Sequence, residues 1–309
     1  MESQVSDYLK LLEARFYSRP HKYHVSMALG RLIHFLNEQY AIEAWQVVSE
    51  QHLLAFASWA ANEYQPAKGK NKGKQIAAYS LANWLSCIRC FFVWMHRQGF
   101  ILGDPAILLP SPKIEETLPH IPSEDQMARL IETPDITTST GMRDRAIFEL
   151  LYATGLRKSE VVKLDFRDVD VGGQQLFVHE GKGKKDRMVP ITQQACGWLS
   201  RYLTEARPAL ALHSTASSAF FLNHHGGRLT GGTLAWCLDR YAKRAGVKAS
   251  LHTFRHCVAT HLLRRGASVR MVQQLLGHKK LDITQRYTHL AVSDLKAAVE
   301  RAQDGGLLR

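Results

Sequence analysis

The stretch LLGHKKLDITQRYTHL, residues 275–290, ends an apolar run on Gly277 and then sets His278, Tyr287 and His289 among charged side chains. The glycine marks a helix stop, and Asp282 is placed to cap the short helix that would present Tyr287, nine residues after His278. A phenol ringed by imidazoles and cations is badly placed for packing. It is well placed for chemistry, because a free phenol with a pKa of roughly 10 reacts poorly at neutral pH unless nearby cations favour its phenolate.

Upstream of this stretch the helical period runs back through SVRMVQQLLG (268–277), HTFRHCVATHLLRRGA (252–267) and LTGGTLAWCLDRYAKRAG (229–246). Between 164 and 190 the period switches to two. Leu176, Val178, Met188 and Val189 flank the turn clusters Gly172-Gly173 and GKGKKD (181–186), which predicts a small antiparallel sheet. Before it, MRDRAIFELLYATG (142–155) carries Ile147, Phe148, Leu150 and Leu151 on an apolar face and stops at Gly155. Ser123 followed by Gln126 makes a capping-box start for a helix with Met127, Leu130 and Ile131. A last helix over about 292–303 would carry Leu295, Ala298 and Val299 on one face.

The first hundred residues read as a helical bundle, with helices near 3–15, 23–39, 48–64 and 76–98 and almost no strand pattern. Inside it AKGKNKGK (67–74) cannot pack. It is either a solvated loop or a flexible clamp on phosphates through Lys68, Lys70, Lys72 and Lys74. The segment 103–125 concentrates five prolines with little periodicity, as an extended linker does. The expected organisation is a helical domain over 1–102, a linker over 103–122, a second domain over 123–290 and a helical tail over 291–309. The fold class is mainly α with a small antiparallel β-sheet, that is α+β, in the second domain. No internal repeat is found.

A length of 309 residues suits about two domains, and 45% hydrophobic against 22% charged residues argues against disorder. Forty basic against twenty-eight acidic residues give a formal charge of +12, which attracts polyanions in a salt-dependent way without naming one. The start MESQVSDYLKLLEARF has no apolar core of signal-peptide type, and no window approaches the roughly 18 apolar residues of a membrane span, so a cytoplasmic location is expected. Five scattered cysteines suit reduced, packed thiols, and the C-x-x-C of SCIRCFFVW (86–94) is expected inside an apolar helix core. His252 and His256 stand four apart like zinc ligands on a helix, but the H-E-x-x-H glutamate and an obvious third ligand are missing, so no metal is expected.

Singly, each polar residue of the second half has a bland reading: Arg157 as a surface arginine after a helix stop, His252 and Arg255 as capping and pairing groups. Together they match one task. Reaction at a phosphodiester places charge on non-bridging oxygens, and two planar guanidiniums with imidazole donors can hold it; Arg157, Arg255, His252 and His278 supply that set. Lys182 at the hairpin turn, in competition with Lys184 and Lys185, is placed to protonate a leaving oxygen, and Tyr287 is the candidate nucleophile.

ATGLRKSE (153–160), GKGKKDRMVP (181–190), LHTFRHCVATHLL (251–263) and LLGHKKLDITQRYTHL together resemble the tyrosine recombinase, or phage-integrase-like, family, most closely its Xer-type and mobile-element members. The resemblance extends over essentially the whole chain and implies a SAM-like core-binding domain followed by a catalytic domain. It implies that Arg157 and Arg255 clamp the scissile phosphate, Lys182 is the general acid, His252 a general acid/base, His278 a phosphate ligand and Tyr287 the nucleophile. Lys184 and Lys185 would add DNA contacts. Glu160 would support the site from behind or merely be a helix N-terminal acid, His256 would pack behind the arginine, and Cys257 stands where small residues are usual. The implied substrate is a double-stranded DNA recombination site with inverted half-sites, held by this chain or a related recombinase as a tetramer on two sites. No cofactor is implied. The tail helix would dock in a neighbouring protomer or pack on its own domain.

A helix-turn-helix regulator would account for the charge, the helices and SVRMVQQLLGHKKLDITQRYTHL, but not for Arg157, Lys182 and Arg255 together. A type IB topoisomerase shares the chemistry but rejoins the same strand; the compact helical first domain and the tail helix favour strand exchange.

Overall fold

The computed structural model describes residues 1–66, 72–112, 120–179, 186–212 and 218–277. Lys68, Lys70, Lys182, Lys184, Lys185, His278, Asp282, Tyr287, His289 and the tail helix with Leu295, Ala298 and Val299 lie outside the described residues. The chain divides into two units, Met1–Thr117 and Leu118–Arg309.

The first unit contains α1 (Glu2–Ala14), α2 (Arg19–Tyr40), α3 (Glu50–Asn62) and α4 (Ala78–Arg97), each within a few residues of its expectation. Ser18 accepts a hydrogen bond from the His21 amide to start α2, with Pro20 in the first turn, and Ala41 in a left-handed conformation ends it. Leu29, Leu32, Leu36, Phe56, Phe91, Phe92 and Met95 are buried at helical spacing and form one core. Trp45 closes it, edge-on to Phe92, with its indole N–H donating to the Met1 carbonyl at 3.1 Å. Beside the exposed Lys72 and Lys74, the chain leaving α3 is tied down at Tyr64. Arg31 donates to the Tyr64 hydroxyl at 3.0 Å and lies 4.2 Å over the Trp84 ring.

Two expectations change here. The Cys87 and Cys90 pair does lie in a helix, α4, but Cys90 is exposed; the buried positions are Ile88, Phe91 and Phe92, so the core stripe passes beside the pair. The start of the proline-rich stretch belongs to the first unit, because Ile101, Ala106 and Leu109 are in its core and Arg89 holds the Leu109 carbonyl at 2.7 Å.

The second unit contains α5 (Glu124–Glu132), α6 (Ser139–Thr154), the single turn α7 (Lys158–Val161), and β1 (Val169–Asp170), β2 (Gln175–Val178) and β3 (Arg187–Pro190). Then follow α8 (Gln193–Arg201), α9 (Arg207–Ala211), α10 (Gly231–Ala245), α11 (Leu251–Arg264) and α12 (Val269–Leu276). The strands form an antiparallel sheet in the order β1-β2-β3, with Leu176 opposite Val189 and Val178 opposite Arg187. Leu176, Val178 and Val189 face the core, as the period-two pattern requires. The capping box at Ser123 and Gln126 closes with bonds of 2.8 and 3.2 Å.

Helix α6 is more buried than its sequence pattern predicts. Every residue from Gly141 to Leu151 is buried, including Arg143, Asp144, Arg145 and Glu149. These charges persist inside because they pair: Arg143 binds Asp144 at 2.7 Å and the Leu222 carbonyl at 2.9 Å, Tyr241 donates to Asp144 at 3.2 Å, and Arg145 binds Glu149 at 2.9 Å. An interior helix of this kind shows no single apolar stripe.

Gly155 ends α6 with φ +62°, and a Cβ there would clash with the Leu276 side chain. The left-handed turn and the close seating of α12 both require glycine. Among the described residues no helix is long and apolar enough to cross a membrane. Gly155→Ala is expected to destabilise the second unit by roughly 1–3 kcal/mol, read as a lower urea midpoint; an unchanged midpoint would mean α12 is not seated there.

Candidate active site

The turn after Gly155 places Arg157 at the N-cap of α7, and the one-turn helix brings Glu160 back beneath it. The Glu160 carboxylate accepts from the Arg157 backbone N–H at 2.7 Å and from the Arg157 guanidinium at 2.8 Å. Across the sheet, Arg187 at the start of β3 adds two bonds to the same carboxylate, at 3.1 and 3.0 Å. Burial alone would raise the carboxyl's pKa, but the hydrogen bonds from Arg187 and from the Arg157 backbone outweigh it and hold it at about 2. Glu160 is therefore an anion lodged between two guanidiniums and, through its bond from the Arg157 N–H, also the N-terminal acid of α7, so its two sequence readings both hold.

Arg255, on α11, is only 2% exposed. Its guanidinium donates to the Gly155 carbonyl at 2.8 Å and to the Leu276 carbonyl. Arg157 reaches the next carbonyl, that of Gly277, at 3.4 Å. The two arginines, far apart in sequence, thus meet at the C-terminus of α12, where Gly277 adopts φ +65°. Carbonyl oxygens there carry the negative end of the helix dipole, which favours the cations.

His252 stands one turn before Arg255 on α11 and remains open to solvent. Partial burial, then Arg255, then Arg157 push its imidazole below its ordinary pKa, which favours the neutral ring. His256 packs edge-on to it, with ring centroids 4.3 Å apart, and is pushed down to about 4 by burial, His252 and Arg255. Cys257 is fully buried in the core and its thiol is pushed up to about 12 by burial, which removes it from any reactive role.

Of the six expected catalytic residues, Arg157, Arg255 and His252 are thus brought together from two separate segments, the turn after α6 and α11. Lys182, His278 and Tyr287 lie outside the described residues; the described chain ends at Gly277, whose carbonyl Arg157 holds. Sequence reasoning passed over Arg187. A signal for it existed, since in the alternation of RMVP it shares a strand face with buried Val189, where a charged residue needs an internal partner. Arg157 is also not a mere surface arginine, being fixed by Glu160 and the end of α12.

A carboxyl held near 2 against 4.5 for the free side chain contributes stability that is complete above about pH 4.5 and is lost as pH falls toward 2. Glu160→Gln should therefore flatten the fall of Tm between about pH 5 and about pH 3, measured by thermal melts of both proteins; parallel curves would contradict the ion-pair geometry.

Known proteins resemble this chain in sequence and in fold. A sequence model of the Phage integrase family matches residues 122–294. Tyrosine recombinase XerD of Lacticaseibacillus casei is 38% identical over 291 residues, spanning 90% of this chain and 99% of that protein. In structure, XerH site-specific recombinase bound to palindromic difH substrate in a post-cleavage complex superposes with a TM-score of 0.75 at 19% identity, covering 97% of this chain and 84% of that one. The lambda integrase tetramer bound to a Holliday junction gives 0.70 at 18% identity, covering 93% and 76%. From the family match across more than half its length and the near full-length likeness to XerD, the chain belongs to the phage integrase family.

Proposed function

We infer that this chain is a site-specific recombinase of the tyrosine type, which cuts and rejoins DNA strands through a 3′-phosphotyrosine intermediate. The observation that carries the reading is the convergence of Arg157 and Arg255 on the last carbonyls of α12, with His252 one turn before Arg255 on α11, directly before the segment holding His278 and Tyr287.

The chemistry follows from these groups. The guanidiniums of Arg157 and Arg255 bind the non-bridging oxygens of the scissile phosphate and stabilise the charge that builds there in the transition state. Because the arginines are already fixed by carbonyls and by Glu160, little reorganisation accompanies the reaction. His252 accepts the proton of the Tyr287 phenol, whose oxygen forms a bond to phosphorus as the bond to the 5′ oxygen breaks. Lys182 supplies the proton to that 5′ oxygen, and His278 adds a hydrogen bond to the phosphate. In the reverse sense a 5′ hydroxyl from another strand attacks the phosphotyrosine, which conserves the phosphodiester energy.

The partner in this reading is duplex DNA with inverted half-sites, engaged by four protomers through a Holliday junction, in the cytoplasm. Lysines 68, 70, 72, 74, 184 and 185 would bind backbone phosphates, giving affinity that declines with salt but carries little sequence information.

Tyr287→Phe should still bind a recombination site yet form no covalent adduct on a nicked suicide substrate; an adduct from that variant would refute the nucleophile. Arg157→Ala should slow cleavage by roughly 10²-fold or more while weakening binding only a few-fold, measured by single-turnover cleavage and gel shift. Comparable losses in both would instead indicate a DNA-binding regulator.

A further inference from the structure

Glu160 receives four hydrogen bonds from two arginines: two from Arg157, through its backbone N–H and its guanidinium, and two from the fork of Arg187. An ionised carboxylate offers about four acceptor sites, so this one is saturated and cannot turn wholly toward either cation. Arg187 itself is held on a strand, opposite Val178, with its side chain only 12% exposed.

We propose that Arg187 is a positioning residue for the reaction, acting through the shared Glu160 carboxylate to orient Arg157 and preserve its charge for the scissile phosphate. This rests on the reading of Arg157 as a phosphate clamp.

Two arguments support it. The first is charge: one carboxylate between two guanidiniums leaves the trio with one net positive charge. With Arg187 gone, Glu160 is left to Arg157, the pair is neutral, and the clamp loses much of its pull on a phosphate oxygen. The second is geometry. A Cβ on Gly277 would lie 3.0 Å from Arg187 Nε, so the guanidinium that braces Glu160 also supports the end of α12, whose Gly277 carbonyl Arg157 binds. Arg187 thus contacts both anchors of Arg157. A lysine would restore the charge but not the planar fork that meets both carboxylate oxygens.

The test is single-turnover cleavage by the full chain on nicked suicide DNA with either an ordinary phosphodiester or a neutral methylphosphonate at the scissile position. A methylphosphonate lacks the charge that Arg157 is held to neutralise. Arg187→Gln should bind DNA within about twofold of the parent and cleave the phosphodiester at least about tenfold more slowly, short of the roughly 10²–10³-fold lost with a group that touches the reacting oxygens. On the methylphosphonate most of that gap should close. In a Glu160→Gln background the same substitution should add less than about twofold, because its route of action is already cut. Arg187→Lys should fall between parent and Gln variant on the phosphodiester, and it carries the comparison if the Gln variant melts below the assay temperature. Equal losses on both substrates, full additivity with Glu160→Gln, or parental cleavage by the Arg187 variants would overturn the proposal. Arg157→Ala serves as control: if it cleaves normally, the clamp reading itself fails; if it collapses while the Arg187 variants cleave at the parental rate, only the role of Arg187 fails.

Discussion

The second unit is organised around a helix end capped by two guanidiniums. Arg255 takes the Leu276 carbonyl and Arg157 the Gly277 carbonyl, so the C-terminus of α12 is fixed by residues from α11 and from the turn after α6. The unsatisfied carbonyls of a helix end need donors, and the guanidiniums of buried Arg255 and half-buried Arg157 need acceptors; each settles the other's requirement. Carbonyls hold a guanidinium without cancelling its full charge, as a carboxylate would. A cation buried in this way keeps its attraction for a phosphate, and the segment that leaves Gly277 starts from a fixed point beside it.

Glu160 solves a related problem from the other side. Arg157 needs a rigid seat, and a carboxylate provides one, yet a simple ion pair would neutralise the guanidinium. Sharing the carboxylate with Arg187 gives rigidity while leaving net positive charge. The short α7 makes this possible, because its single turn brings position 160 directly under position 157. Helix α6 supplies the platform: its buried Arg143, Asp144 and Tyr241 network ties it to α10 and to the turn at Leu222, and a fully paired interior network resists distortion.

The first unit shows a different balance. Its core is rich in aromatic contacts, such as Tyr8 with Phe91 and Phe35 with Phe56, and Tyr64, shortly before the lysine-rich stretch in sequence, is held by Arg31 and Trp84.

Much of this was legible in the sequence because it is local. The four helices of the first unit, the hairpin strands, the capping box at Ser123 and the stop at Gly155 depend on neighbours in the chain, so periodicity and turn chemistry suffice to place them. The sequence also grouped Arg157, Arg255 and His252 by the residue types that phosphate chemistry would need, and the structure brings these three close together. What only the tertiary structure decided was long-range: the complete burial of α6, the outward face of Cys90, the packing of Leu109 into the first unit, and the sharing of Glu160 between Arg157 and Arg187. A spacing along one chain reports which face a residue takes on its own element. It carries no record of which distant element comes to meet that face, and a buried ion pair becomes favourable only once that partner has arrived.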